Sequence, residues 1–463
     1  MQFHFSEKKN IHFIGIGGIS MSGIAELLLL NGFPVSGSDS HKSGLTDALE
    51  GKGARICIPQ SADNLGEDTE LVVYTAAIRD DNPELSAARE RGIETVSRAE
   101  FLGAVMKEYP LSMAVAGTHG KTTTTGMLSQ IMLEAETDPT LSIGGIFPFI
   151  GGNFRSGKGQ VFVTEACEYT NSFLSLPGKI EVILNIDLDH TDFFKDIGEL
   201  RSSFRRFASL VPEDGTLVIA QDIERLSEIT EACRGRVITF GLTKEADCFP
   251  EEIRRNESSR YSFIIRKKDA PSLGKVSLNV PGEHNVRNAL AAAAAAYAAG
   301  VSPEHIASAL SSFRGTSRRF EEKGSFGGVR VIDDYAHHPT EITATLKAAA
   351  ECPHNTLWCV FQPHTYSRTK AFLKEFARAL SLADKVVLAD IYPARETDTL
   401  GISSENLAEE LRLLGTECYY FSGFSAIEKF LSGKCVHGDL LITMGAGNVN
   451  IIGEDLLRNQ IST

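Results

Sequence analysis

The stretch Ala116-Gly117-Thr118-His119-Gly120-Lys121-Thr122-Thr123 constrains the fold of this chain more than any other. The apolar run Met113-Ala114-Val115-Ala116 leads into it, and a helix-like run from Thr124 to Leu133 leads out. A strand, a glycine turn and a helix N-terminus in that order make a cradle for a triphosphate. Glycines let backbone N–H groups approach phosphate oxygens, the lysine adds a point charge, and a threonine hydroxyl is suited to hold Mg²⁺. The spacing is unusual: the common phosphate loop is longer between its glycines, whereas only Thr118 and His119 separate Gly117 from Gly120.

A second glycine loop lies near the start. Ile11-His12-Phe13-Ile14 reads as a buried strand, Gly15-Ile16-Gly17-Gly18 as a turn, and Ile19 to Asn31 as a helix. A second strand begins over Pro34 to Gly37, with Asp39 just past it. Gly15, Gly17 and Ser20 follow the dinucleotide fingerprint with serine at the third glycine, and an acidic residue about twenty positions on is what that fingerprint expects. The chemistry suits any diphosphate on a helix N-terminus: NAD or FAD, another nucleotide diphosphate, or no ligand at all in a structural turn. The triphosphate loop shifts weight away from hydride transfer, which needs no triphosphate.

Strand and helix signals alternate onward. Strands are expected at Leu71–Tyr74, Thr95-Val96, Val161–Thr164 and Val182–Asn185. The charged stretch from Thr243 to Lys275 reads as antiparallel strands and loops, and Pro281-Gly282 opens a helix over Asn285–Ala299. Beyond Gly315, strands are expected at Val329–Ile332, Leu357–Phe361, Val386–Leu388 and Leu440–Thr443, with helices over Thr340–Ala350, Thr369–Ser381 and Ser404–Leu414. This is an open α/β pattern with parallel sheets. A chain of 463 residues is too long for one ordinary core, and length suggests about three domains.

Composition narrows the class. The chain is 42% hydrophobic and 23% charged, as in soluble globular proteins. Its net charge of −14 argues against a nucleic-acid partner held by electrostatics. The first ten residues lack a secretory core, and no apolar run spans a bilayer. The eight cysteines are scattered with no Cys-x-x-Cys pair, which suits reduced thiols and a cytoplasmic location.

Two acid clusters follow expected strands: Glu165-Ala166-Cys167-Glu168 and Asp187-Leu188-Asp189-His190-Thr191-Asp192. Ligands in open α/β sheets gather beyond the carboxyl ends of strands, so Glu165 and His190 are expected beside the phosphate loop. A hydroxyl, a carboxylate and an imidazole, completed by water and phosphate oxygens, form a shell for Mg²⁺.

The segments GTHGKTTTT, EACEYTNSF, NIDLDHTD, PGEHNVRNALAA, TSRRFE, DDYAHHPTE and FQPHTYSRT occur in that order. In this the chain resembles the Mur ligases over nearly its whole length. The resemblance implies three domains: a Rossmann-like UDP-substrate domain at 1–108, a central P-loop-type ATPase domain at 109–315, and a C-terminal Rossmann-like domain at 316–463 that contacts ATP and the amino acid. It implies ATP-dependent ligation of L-alanine to UDP-N-acetylmuramate through an acyl phosphate, in peptidoglycan synthesis. Small molecules are the expected partners, with no nucleic acid, no membrane insertion, and a monomer or homodimer.

Roles carry over by position. Gly15, Gly17, Gly18 and Ser20 are expected to hold the UDP diphosphate, with Asp39 near the uridine. Gly117, Thr118, His119, Gly120, Lys121, Thr122 and Thr123 are expected to wrap the ATP phosphates. The resemblance implies that Lys121 bridges the β- and γ-phosphates and that Thr122 or Thr123, with Glu165 and His190, holds the metal. Asn285 and Asn288 match adenine-facing asparagines, since amides both donate and accept. Arg319 is expected to reach the ATP phosphates, and Asp334 is a further ATP contact. Tyr335, His337 and Arg368 shape the amino-acid end, and His190 or His337 takes the amine proton. Two departures stand out: Thr365 where the family often has arginine, and Asn448 where it has aspartate. No lysine lies between Lys195 and Lys244, so a carbamylated lysine is not expected. Rival readings are a recycling ligase that attaches an intact tripeptide, a D-glutamate-adding or other sister ligase, an NAD-dependent dehydrogenase, and a non-catalytic nucleotide-binding module.

Overall fold

The computed structural model describes residues 10–459 except 76, 269 and 395. Residues 1–9, part of the segment read above for a secretory core, lie outside the described set. Three sheets follow one another along the chain. The first has five parallel strands in the order Arg55–Cys57, Val35–Ser38, Ile11–Ile14, Leu71–Tyr74 and Glu94–Ser97. Its strand order reverses beside Ile11–Ile14, which puts the Gly15 loop at the switch point where ligands bind in such sheets.

The second sheet has ten strands. Its parallel centre runs Arg236–Phe240, Thr216–Ala220, Ile180–Ile183, Leu111–Ala116, Val161–Glu165 and Thr140–Phe147. Strand Cys248–Arg255 joins Arg236–Phe240 in parallel, and Arg260–Lys267 and Gly274–Pro281 continue that edge in antiparallel pairings, as the charged stretch suggested. Central strands such as Leu111–Ala116 are apolar almost throughout because helices cover both sheet faces. The alanine run lies on helix Glu283–Ala298, where Ala289 to Ala296 are all buried. Their small side chains let this helix pack closely against helix Lys121–Glu134, which carries the phosphate loop at its start.

The third sheet has six strands, ordered Glu321–Phe326, Val329–Asp334, Leu440–Met444, Leu357–Phe361, Lys385–Leu388 and Glu417–Tyr420, with only the first antiparallel. The single helix expected over Thr369–Ser381 is two, Tyr366–Ala371 and Leu373–Leu380. Phe372 breaks it at φ −114° and ψ 24°, and its ring lies 5.1 Å from that of His338. A tertiary ring contact therefore overrides local helix propensity.

The first sheet's unit docks on the second through glycines. On helix Arg98–Lys107, a Cβ at Gly103 would stand 1.7 Å from the Ser175 carbonyl oxygen. On helix Ile19–Leu30, a Cβ at Gly23 would stand 2.4 Å from the Phe154 ring. All eight cysteines are free. Among the described residues no helix is long and apolar enough to cross a membrane.

Candidate active site

Strand Leu111–Ala116 ends in the phosphate loop, and the loop's shape depends on Gly120. Its φ is +84°, and a Cβ there would stand 2.6 Å from Asn288 Oδ1. Only glycine meets both conditions without strain. The loop is tied to the segment after strand Ile180–Ile183. Asn185 Oδ1 accepts the His119 N–H at 2.8 Å, and its amide donates to the His119 carbonyl at 3.0 Å. Thr118 donates its hydroxyl to the Asp187 carbonyl at 2.9 Å and accepts the Asp187 N–H at 3.0 Å. The expected strand Val182–Asn185 is displaced to Ile180–Ile183, which frees Asn185 for this role.

Lys121 Nζ donates to Glu168 Oε2 at 2.9 Å and to the Gly117 and Thr118 carbonyls at 2.5 and 3.1 Å. Burial opposes its charge, but Glu168, with Cys167 and Glu165 behind it, outweighs burial and raises its pKa. Glu168 is fully buried, and its pKa is lowered because Lys121 and then His190 outweigh its own desolvation. The ammonium is thus fixed as a cation at the loop.

Glu165 closes strand Val161–Glu165, and its Oε1 accepts the Gly144 N–H at 2.7 Å. His190 has φ +52°, and its Nε2 lies 3.6 Å from Glu168 Oε1. The Tyr169 ring packs against its imidazole, with centroids 4.5 Å apart and planes tilted by 31°. The sequence missed Glu168 as the partner of both Lys121 and His190. Among the described residues no group of three or more His, Cys, Asp or Glu forms a ready metal cage.

The third sheet supplies the opposite wall. Arg319 Nη2 donates to Thr122 Oγ1 at 3.2 Å, so it meets the phosphate loop. Its neighbour Arg318 points away, donating to Asp333 at 2.8 Å and to the Gly447 and Gly445 carbonyls at 2.9 and 2.8 Å. Both guanidinium groups lie over Tyr335, at 5.0 and 5.1 Å. Asp334 accepts the Phe320 and Ala336 N–H groups at 2.8 and 2.7 Å; burial lifts its pKa to about 6 against the pull of Arg319. Arg368 clasps Asp189 with Nε and Nη2, each 3.0 Å from Oδ1, and burial of Asp189 is outweighed by this cation. Expected at the amino-acid carboxylate, Arg368 here bridges the second and third units. Thr365, at φ +68°, accepts the Arg368 N–H at 3.4 Å as the cap of helix Tyr366–Ala371, and Asn448 accepts from Gln362 at 3.3 Å.

Between these walls lies a cavity of about 590 Å³. His119, Gly120, Thr123, Arg319 and Asp334 line its phosphate end, while Leu184, Ile223, Phe240 and Val280 supply apolar surface of the kind a base occupies. Asn285 and Asn288 line it too, with the Asn288 amide donating to Asn285 Oδ1 at 3.0 Å and the Asn285 amide donating to the Pro281 carbonyl at 2.7 Å.

The Gly15 loop belongs to the first unit, at the switch point of its sheet. Asp39 Oδ2 accepts the Gly17 N–H at 2.8 Å, so Asp39 fastens the loop itself. Arg98, which the sequence reading passed over, donates to Ser20 Oγ at 3.1 Å. A capping box sets it there: Ser97 accepts the Glu100 N–H at 3.3 Å and Glu100 accepts the Ser97 N–H at 2.7 Å. Burial lowers the Arg98 pKa, and among the described residues no carboxylate pairs with it. A half-buried cation without a carboxylate partner suits an anionic ligand.

A phosphate loop roofed by side chains of a second α/β unit, with a diphosphate-type loop on a third, defines a nucleotide-dependent enzyme of three α/β units. The chain matches the Mur ligase family catalytic domain over residues 10–110, the Mur ligase middle domain over 115–296 and the Mur ligase glutamate ligase domain over 318–447. It is 56% identical over 457 residues to a UDP-N-acetylmuramate–L-alanine ligase of Lachnospira eligens, covering 98% of this chain and 99% of the relative. A solved UDP-N-acetylmuramate-alanine ligase from Thermotoga maritima superposes with a TM-score of 0.80 at 31% identity, covering 98% of this chain and 100% of that one. A murein peptide ligase from Psychrobacter arcticus superposes with a TM-score of 0.70 at 25% identity, covering 97% and 98%. The chain belongs to the Mur ligase family.

Proposed function

We propose that this chain is an ATP-dependent ligase that joins L-alanine to UDP-N-acetylmuramate in peptidoglycan synthesis. The 56% identity to an alanine ligase, against 25% to a murein peptide ligase, favours alanine over an intact tripeptide. One observation carries the chemistry: Arg319 of the third unit meets Thr122 of the phosphate loop at 3.2 Å, so cationic groups of two units converge on one phosphate site. The working division is 1–108 for the UDP substrate, 109–315 for ATP and 316–463 for the amino acid.

The muramate carboxylate is anionic and faces an anionic γ-phosphate. Lys121 and Arg319 offset that repulsion and the charge that builds during phosphoryl transfer. A carboxylate oxygen bonds to the γ-phosphorus, the bond to ADP breaks, and an acyl phosphate forms. The uncharged amine of L-alanine then attacks the acyl carbon. Phosphate leaves, and the amine's proton passes to His190 or His337. Arg98 and the Gly15 loop hold the UDP diphosphate. Water would destroy the acyl phosphate, so contacts such as Arg368 with Asp189 and His338 with the Leu188 carbonyl, at 3.2 Å, serve to keep the site closed.

The donor set suits Mg²⁺ shared with substrate phosphates. Thr122 offers a hydroxyl, Glu165 a carboxylate and His190 an imidazole, and phosphate and water oxygens would supply the remaining ligands. When bound, the ion neutralises phosphate charge. We place the enzyme in the cytoplasm, as a monomer or homodimer acting on small molecules.

Phosphate release tests the acceptor. With ATP and UDP-N-acetylmuramate, L-alanine is expected to support faster release than glycine, L-serine or the tripeptide. Preference for the tripeptide would overturn the assignment.

A further inference from the structure

Glu341 sits on the first turn of helix Pro339–Ala350 and meets a histidine with each carboxylate oxygen. Oε1 lies 3.3 Å from Nδ1 of His119, on the phosphate loop. Oε2 lies 3.4 Å from Nδ1 of His337 and accepts the His337 N–H at 3.1 Å. The two imidazoles belong to different units, and one carboxylate touches both. Beyond His119, Asp187 Oδ2 lies 3.4 Å from Nε2, and the His338 ring packs on the imidazole at 4.6 Å. Beyond His337, the Tyr335 carbonyl lies 3.1 Å from the same Nδ1, and the His364 ring stands edge-on at 6.0 Å.

This arrangement decides where the protons sit. A neutral imidazole donates from one nitrogen and accepts at the other, and its partner selects which. Both groups near Nδ1 of His337, the Glu341 carboxylate and the Tyr335 carbonyl, only accept. The hydrogen bond to the Tyr335 carbonyl keeps the proton on Nδ1, with the Glu341 carboxylate beside it and bonded to the His337 backbone N–H, and leaves Nε2 with a free lone pair. His337 is neutral at physiological pH, because burial depresses its pKa despite Glu341. His119 is different. Burial alone would lower its pKa, but Asp187 and Glu341 raise it to about 9, so it is an imidazolium in ion contact with both carboxylates. Other charges near Glu341 and His337 are Arg319, Arg368, Asp189 and Asp334, and the imidazoles of His284 and His338 also face Glu341.

We infer that Glu341 is a positioning residue that orients His337 as the acceptor of the amine proton while it is seated on His119 of the phosphate loop. One carboxylate thereby links the ATP end of the site to the amino-acid end, and the basic Nε2 is in place only when the third unit rests on the loop. The inference rests on the ligase reading and selects His337 over His190 as the acceptor.

A set of variants of the full chain tests it: His119→Gln, His337→Gln and both together, each with Glu341 and with Glu341→Gln. Turnover is read as L-alanine-dependent phosphate release, and binding of UDP-N-acetylmuramate reports an intact fold in each variant. If a variant fails to bind, asparagine replaces glutamine at that position. With Glu341 present, the combined loss is expected to be smaller than the product of the single losses by about 5-fold or more, as for residues coupled through a shared partner. With Glu341→Gln, it should equal that product within about 2-fold. Multiplicative losses in the presence of Glu341, or the same coupling in both backgrounds, would overturn the inference. No phosphate release by the unmodified enzyme would instead overturn the ligase reading, and the inference with it.

Discussion

Lys121→Ala is expected to lower turnover by about 10²-fold or more while UDP-N-acetylmuramate still binds, because the lost cation acts on phosphate charge that grows in the transition state. The lysine is already committed to that charge state: burial opposes it, and Glu168 with its acidic neighbours raises its pKa all the same. Removing it leaves the buried Glu168 without its lysine partner, with the His190 imidazole 3.6 Å away. Lys121→Arg separates charge from shape. A planar guanidinium in a site built for a compact ammonium is expected to recover little activity. Kinetics of phosphate release, with substrate affinity measured separately, distinguish these outcomes. A loss well under about 10²-fold would contradict the role given to Lys121.

The largest effect on stability is expected at Gly103. A Cβ there would stand 1.7 Å from the Ser175 carbonyl oxygen, a backbone atom that cannot rotate away. Gly103→Val must therefore push helix Arg98–Lys107 off the central unit, and a loss of about 3 kcal/mol or more is expected from overpacking. The same helix begins with Arg98, so affinity for UDP-N-acetylmuramate should fall too. Gly51→Ala is the control, since nothing lies within 4 Å of its Cβ position. Denaturant unfolding of both variants checks this. Equal stabilities would show that the interface yields more easily than its geometry indicates.

The parts of the site legible in the sequence are those built from consecutive residues. A strand feeding Gly117 to Thr123, and acid clusters at strand ends, announce a phosphate site because backbone geometry alone brings them together. The three α/β sheets are legible for a similar reason, since apolar strands alternate with helical periods. Contacts across the fold leave no such trace. Arg368 and Asp189 are 179 positions apart, and Arg368 in isolation reads as a ligand for a free carboxylate. Arg98 had one local signal, the Ser97 to Glu100 capping box, which fixes a helix start but says nothing of Ser20 on the facing loop. Of the neighbouring arginines 318 and 319, only the third dimension shows which one faces the phosphate loop. Asp39 likewise matched a fingerprint spacing, yet its carboxylate is taken up by Gly17.

The most direct test of the whole account follows a single oxygen atom. UDP-N-acetylmuramate carrying heavy oxygen in its muramate carboxylate is turned over with ATP and L-alanine, and the released phosphate is weighed by mass spectrometry. Activation as an acyl phosphate predicts that each phosphate released carries one carboxylate oxygen. Unlabelled phosphate, formed at the rate of amide synthesis, would contradict it.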